Sequence, residues 1–257
     1  MVHAGVLRLL LALFVMAPAD SASTAAREPI DVLRNWLFQN DMGWLALMNG
    51  DLTLAEARFK AAIKVVRPYE KSDPRLMARS YCDLALVLYQ QARYDQAEPL
   101  AKWALQVRER VPGISPDTIY QNLYVLAQIH CAQRRFNDAE PLLRRALAVQ
   151  EKLAGSENPA LGTTLEDLAW ITTETGQLTE AASFYQRALA IRNKTLPPSS
   201  IEIAETSERY AALLRRLDRL TEAQWLEARA RAIRSEAAKT SQAKPSPLPP
   251  RSRVPML

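Results

Sequence analysis

One 17-residue pattern recurs along the chain at intervals of 42 residues. The stretch "FNDAEPLLRRALAVQEK" begins at Phe136, and "YDQAEPLAKWALQVRER" begins 42 residues earlier, at Tyr94. Two more divergent copies begin at Leu178 and Leu220. A fixed period of this length is typical of repeat proteins, in which each repeat packs only against its neighbours. The period therefore constrains the fold more than any other feature of the chain.

Alignment at 42 residues places small residues in three columns, which reveals five copies. Between the columns, apolar residues recur at steps of three and four, which is the periodicity of a helix. A small residue at a fixed place in each helix lets two helix axes approach closely. The columns contain Gly43, Ala85, Ala127, Ala169 and Ala211; Ala55, Ala97, Ala139, Ala181 and Ala223; and Ala62, Ala104, Ala146, Ala188 and Ala230.

Residues that favour helix N-termini also align, except that Asn158 lies one residue late in the fourth copy, and they predict two helices per repeat. The predicted caps of the first helices are Asp31, Asp73, Ser115, Asn158 and Ser199, and those of the second helices are Thr53, Asp95, Asn137, Thr179 and Thr221. The chain has only seven glycines and is rich in Ala, Leu, Glu and Arg, which favours helix throughout. We therefore predict an all-α fold of five helix-turn-helix repeats.

The two ends of the chain differ from the repeats. Residues 1–22 contain Arg8, a short apolar run and small residues, which is the layout of a cleavable secretory signal peptide. The run is too short for a stable membrane span. We expect the repeats to occupy residues 23–239 and residues 240–257 to form a disordered, Pro-rich, basic tail. An extracytoplasmic location, secreted or periplasmic, follows from the signal peptide.

The repeats resemble the tetratricopeptide repeat, and their 42-residue period is similar to that of the kinesin-light-chain type. This resemblance implies a right-handed α-solenoid in which the first helices line a concave groove. It also implies which residues face the groove. They are Asp41, Trp44, Asp83, Leu86, Tyr89, Tyr124, Gln128, Glu166, Asp167 and Trp170.

Aromatic rings alternate with carboxylates at these groove positions, which suits an extended peptide carrying apolar and basic residues. Trp44 and Trp170 fit equally well as residues that fill the core between repeats. Family members often carry Asn, which holds the peptide backbone, where this chain has Asp83 and Asp167. The first four copies lack the basic residues of an anion-binding groove, so we expect no nucleic-acid partner.

No phosphate-binding glycine loop, catalytic-nucleophile motif or metal-binding motif occurs in the sequence. We expect His130 to be a packed core residue and Cys82 and Cys131 to remain free thiols. The sequence therefore predicts a protein that is not an enzyme and that has no catalytic residues, cofactor or metal.

These observations predict an extracytoplasmic scaffold that binds a protein or peptide in its groove. One alternative is a non-catalytic accessory subunit of an envelope or secretory enzyme complex, positioned by its basic C-terminal end. Another is self-association through a terminal repeat.

Overall fold

The computed structural model describes residues 24–155 and 158–242, and the predicted signal peptide lies outside them. The described residues form ten α-helices and no strand. Residues 240–242 of the predicted tail belong to the last helix, and the rest of that tail lies outside the described residues. In chain order the helices are α1 (Thr24–Met48), α2 (Leu52–Val66), α3 (Arg75–Gln90), α4 (Tyr94–Arg110), α5 (Pro116–Ala132), α6 (Phe136–Ala154), α7 (Leu161–Glu174), α8 (Leu178–Thr195), α9 (Ile201–Arg216) and α10 (Leu220–Gln242).

The helices pair into five hairpins that stack in chain order. Each odd-numbered helix packs most extensively against the even-numbered helix that follows it, and each hairpin packs on the next. Among the described residues, α3 and α5 also share a smaller contact, and contacts between other pairs of helices are sparse. This pattern of contacts between neighbours is that of an α-solenoid, so the predicted fold class is confirmed.

The small-residue columns lie where the helices cross. The alanines that follow Gly43, Ala55 and Ala62 in the three columns are fully buried in every copy. A Cβ atom added at Gly43 would lie 2.7 Å from the ring of Phe59. This distance is shorter than any normal contact of a Cβ atom, so only glycine fits at this position. The small residues therefore set the distance between the paired helices, as the repeat pattern predicts.

Each hairpin turns through one residue in the left-handed region of backbone space. This residue has a φ between 58° and 85° in all five copies. The residue that follows it donates its N–H to the carbonyl five residues earlier, which closes the end of the first helix. The turn residues are Gly50, Ala92, Arg134, Gly176 and Asp218.

This turn explains why the predicted caps of the second helices are wrong. It starts each second helix two residues earlier, so that Thr53, Asp95, Asn137, Thr179 and Thr221 each occupy its second position. In the first copy the cap is Asp51, whose Oδ1 accepts the N–H of Leu54 at 2.9 Å.

The predicted caps of the first helices are partly correct. Ser115 is the N-cap of α5, although its side chain makes no capping hydrogen bond. Asn158 Oδ1 accepts the N–H of Ala160 at 2.9 Å, just before α7. Asp31 lies inside α1, because that helix begins at Thr24, and α9 is capped by Ser200 instead of Ser199.

Charged side chains join successive hairpins near the turns. Arg93 donates to Glu56 at 2.7 Å, and Arg135 donates to Glu98 at 2.9 Å, one repeat later. Burial raises the pKa of Glu56, but hydrogen bonds from Lys60 and Arg93 outweigh it and lower that pKa to about 2. These pairs recur with the 42-residue period, so each links one hairpin to the next.

Candidate functional site

The predicted groove residues lie on four successive first helices, α1, α3, α5 and α7. Asp41 and Trp170 are exposed, whereas Asp83 and Glu166 are buried. The other six are half-buried, namely Trp44, Leu86, Tyr89, Tyr124, Gln128 and Asp167. Partial exposure on one series of helices is what a groove requires, but the ten residues differ in their contacts.

Four of these residues form one hydrogen-bonded group, which we call the Asp167 cluster: Tyr89, Tyr124, Gln128 and Asp167. The Tyr124 hydroxyl donates to Asp167 Oδ2 at 2.7 Å, and Gln128 Nε2 donates to the same oxygen at 2.9 Å. The Tyr89 hydroxyl donates to Gln128 Oε1 at 3.5 Å. The Asp167 cluster therefore connects α3, α5 and α7, which belong to three consecutive repeats.

The carboxylate of Asp167 is held in this cluster by neutral donors. Burial raises its pKa above the ordinary value, as does the nearby charge of Glu166, while the hydrogen bonds from Tyr124 and Gln128 and the charge of Arg209 lower it. Burial also raises the pKa of Tyr124, and the neighbouring carboxylate raises it further. Because both hydrogen bonds that Asp167 accepts from described side chains end on Oδ2, Oδ1 keeps its lone pairs for a further donor. A cationic or amide donor is the complement of this arrangement.

Asp83 lies two repeats before Asp167, on α3, in a less favourable environment. Its Oδ2 is buried without a hydrogen bond from the described residues, and the nearest Arg79 nitrogen lies 3.9 Å away. Burial raises the pKa of Asp83 to about 6, despite the charges of Arg79 and Arg108 and a hydrogen bond from Trp44. Because this oxygen is buried, its missing hydrogen bond is a cost to the folded protein and not a site that a ligand in the groove could reach.

Glu166 has a different role from the one predicted for it. Its carboxylate is buried and accepts Arg192 at 2.9 Å, while Arg209 lies 3.4 Å from its second oxygen. Arg192 also donates to the carbonyl oxygen of Glu202 at 2.8 Å. Since two arginines of the chain already neutralise Glu166, it joins the fourth and fifth repeats and does not present an unpaired charge to the groove.

Trp44 and Trp170 were predicted either to face the groove or to fill the core between repeats, and each has features of both. Trp44 is half-buried, with its ring 6.1 Å from that of Phe59 in an edge-on contact. Trp170 remains 39% exposed, and one side of its ring packs edge-on against Phe136 at 5.1 Å. Both rings are therefore fixed by core contacts, and Trp170 also presents apolar surface to solvent.

Two arginines that lie beside the predicted groove carboxylates were missing from the sequence prediction. Arg79 precedes Asp83 by four residues on the same helix, and Arg209 is the fifth member of the column that contains Asp41, Asp83 and Asp167. Extending that column to the last repeat would have identified Arg209. The spacing of four would have indicated that Arg79 lies beside Asp83.

The remaining reactive side chains lie in the core. His130 is buried as predicted, and burial lowers its pKa. Burial raises the pKa of the Cys82 thiol to about 11 and that of Cys131 to about 12. The described residues contain no group of three or more His, Cys, Asp or Glu residues suited to a metal ion. None of the described helices is long and apolar enough to cross a membrane.

Comparison with known proteins agrees with this architecture. The family model described as tetratricopeptide repeat matches residues 38–110 and 119–194, which is more than half of the chain. No curated protein matches the sequence.

Several solved structures share the fold. BtubC (BKLC) from P. vanneervenii is similar at 20% identity with a TM-score of 0.68, over 92% of this chain and 99% of that one. A putative kinesin light chain from Podosopora anserina is similar at 20% identity with a TM-score of 0.66, over 77% and 94%. The Rap conjugation gene regulator of plasmid pLS20, in complex with the Phr* peptide, is 14% identical with a TM-score of 0.56, over 90% and 61%. The chain therefore belongs to the tetratricopeptide repeat family, and it shares its fold with the kinesin-light-chain repeats of the solved structures.

Proposed function

We propose that this protein is a non-catalytic scaffold that binds an extended peptide, or an extended segment of a partner protein, in the groove of its first helices. The Asp167 cluster is the observation that carries this proposal. It holds a carboxylate in place with neutral donors and positions two tyrosine rings beside it. Such a group offers a binding site for Lys or Arg, and the rings offer apolar contact to the neighbouring ligand residues.

The dimensions of the groove suit a short segment. Packed helices lie about 10 Å apart, so the three helices of the Asp167 cluster span about 20 Å. An extended chain advances about 3.3 Å per residue, so about six ligand residues cross the cluster. Trp170 lies at one end of this path and Leu86 at the other, since they belong to α7 and α3. We therefore propose a ligand with a basic residue between apolar ones.

The shared fold supports this use of the groove. The Rap regulator described above was solved in complex with a peptide, and its fold covers 90% of this chain. The aromatic and acidic side chains of the groove supply the chemistry that such a ligand requires. We further propose that binding occurs outside the cytoplasm, on the basis of the sequence of residues 1–22. N-terminal sequencing of the mature protein tests this location, because an N-terminus at Met1 would contradict it.

Selection from a library of linear peptides tests the binding proposal. We expect the selected peptides to be enriched in Lys or Arg next to aromatic or aliphatic residues. Asp167→Asn should weaken their binding several-fold, with a larger loss at low salt, because it removes the charge and keeps the shape.

Asp95→Asn is the matched control for this test, because Asp95 is an exposed carboxylate on the second helix α4. It should leave binding unchanged. Equal affinity of wild type and Asp167→Asn, or selected peptides without basic residues, would refute the assignment of this groove site.

A further inference from the structure

The outward face of α1 exposes an apolar seam at the N-terminal end of the solenoid. The seam consists of Asn35, Phe38, Met42, Leu45 and Asn49. Phe38 is 53% exposed and Leu45 is 50% exposed, although both are large apolar side chains. The five positions alternate in steps of three and four, which is the spacing of a helix face that packs against another helix.

The equivalents of Phe38 show what this face does in the rest of the molecule. The residues equivalent to Phe38 in the other four copies are Ser80, Asn122, Thr164 and Thr206. Each of them is fully buried and hydrogen-bonded to the preceding repeat. Trp36 Nε1 donates to Ser80 Oγ at 2.8 Å, Asn122 Nδ2 donates to the carbonyl oxygen of Ala101 at 3.0 Å, Thr164 Oγ1 donates to Gln150 Oε1 at 2.9 Å, and Arg192 donates to Thr206.

The column of Leu45 has the same burial pattern. Its equivalents are Val87, Ile129, Ile171 and Leu213, and none of them is more than 2% exposed. Leu45 therefore occupies a position that the preceding hairpin covers in every other copy. Although it lies on the first hairpin, the seam keeps the apolar character of a buried surface.

The opposite end of the solenoid is built differently. Glu227 stands in the column of Phe59, Leu143 and Tyr185, which are buried. Its carboxylate is paired with Arg215 at 2.7 Å. At this position the C-terminal end is thus polar and paired within its own chain, as a terminal repeat in contact with water should be. This charged pair is a poor partner for the apolar seam of another copy.

The seam matches itself when one copy is reversed. Phe38 lies four residues before Met42 and Leu45 lies three residues after it. Asn35 and Asn49 lie seven residues before and after Met42, so the order of residue types is similar in both directions. An antiparallel pair would place Phe38 of each copy over Leu45 of the other, with Asn35 opposite Asn49. We propose that this protein forms a dimer in which two copies pack through α1, antiparallel, about a two-fold axis at Met42.

The end face that α1 shares with α2 is close to the size that a stable dimer buries. Helix α1 has 25 residues, which at 1.5 Å per residue gives a length of about 37 Å. With α2 beside it, the end of the solenoid is about 20 Å wide, so about 750 Å² is available on each copy. A stable interface of standard size buries about 800 Å² per partner. The isologous contact also closes on itself, so it yields dimers and not filaments.

Sedimentation equilibrium of the full-length chain tests the proposal. We expect wild type to be dimeric, and Phe38→Glu combined with Leu45→Glu to weaken the dimer by about 100-fold or more. The matched control is Leu37→Glu. Leu37 lies on the same helix and is 42% exposed, but the other copies expose Arg79, Gln121 and Thr163 in its column. The control should remain dimeric.

A charge pair at Met42 tests the two-fold axis. Met42→Lys and Met42→Asp should each be monomeric alone, because like charges would face each other, and an equimolar mixture should form mixed dimers. A monomeric wild type at all concentrations would overturn the proposal, as would a dimer that survives the seam substitutions. Association lost equally in the Leu37→Glu control would overturn it as well, since that loss would not depend on the seam.

Discussion

Asp83 is expected to destabilise the folded protein at neutral pH, and Asp83→Asn should relieve this cost. The side chain is 9% exposed, and its Oδ2 has no hydrogen bond within the described residues. Burial raises its pKa from 3.8 to about 6, in spite of the nearby Arg79 and Arg108. Between pH 3.8 and about pH 6, the folded protein therefore keeps a proton on Asp83 that the unfolded chain has already released.

The sign and size of the effect follow from this difference in proton binding. Between about pH 3.8 and 6 the unfolded chain binds fewer protons than the folded one, so the free energy of unfolding falls as the pH rises. Each pKa unit corresponds to about 1.4 kcal/mol, which gives a cost of about 3 kcal/mol above pH 7. At pH 4.5 only about 1 kcal/mol of that cost has developed. Asp83→Asn should therefore stabilise the protein at pH 7.5 and much less at pH 4.5.

Urea denaturation followed by circular dichroism at both pH values measures this difference. Asp41→Asn is the matched control, because Asp41 is the equivalent residue one repeat earlier and is exposed. A change of charge at such a surface position should alter stability by less than about 0.5 kcal/mol. A gain from Asp83→Asn that is the same at both pH values, or larger at pH 4.5, would refute the reasoning about the buried charge.

The remaining predictions concern packing and ion pairs. Gly43→Ala should lower the free energy of unfolding by about 1 to 3 kcal/mol, because its Cβ would lie 2.7 Å from Phe59; an unchanged urea midpoint would contradict the close helix crossing. Glu166→Gln should cost about 2 to 4 kcal/mol because it leaves Arg192 buried without its counter-ion. The equivalent change Glu208→Gln breaks an exposed pair with Arg234 and should cost less than about 1 kcal/mol. Equal costs in the two variants would contradict the burial argument.

The repeat period predicted the fold well because the small residues that define the period act within a single pair of packed helices. Each alanine of the three columns determines how closely two helices approach, and that constraint is the same in every copy. Helix starts were predicted less well. Threonine and aspartate at positions such as Thr53 and Asp95 favour a first turn in general, but the left-handed turns at Gly50 and Ala92 decide where each helix begins.

The contacts among the predicted groove residues were only partly predictable from the sequence. Repeat columns indicate which residues share a helix face, and Tyr124, Gln128 and Asp167 form hydrogen bonds between neighbouring first helices. Partners from other repeats could not be inferred, because the pairing of Glu166 with Arg192 depends on how successive hairpins stack. The exposure of the seam was also not predicted from the sequence. It arises because no described hairpin precedes α1.

Photocrosslinking at two tryptophan positions tests the central claim, that the groove of the first helices is the binding surface. A benzophenone amino acid would replace Trp170, which is on the groove helix α7, or Trp225, which is 62% exposed on the second helix α10. With a basic, apolar peptide selected on the wild-type protein, the account predicts crosslinks from position 170 and none from position 225. Crosslinks from position 225 alone would place the ligand on the second helices and contradict the account.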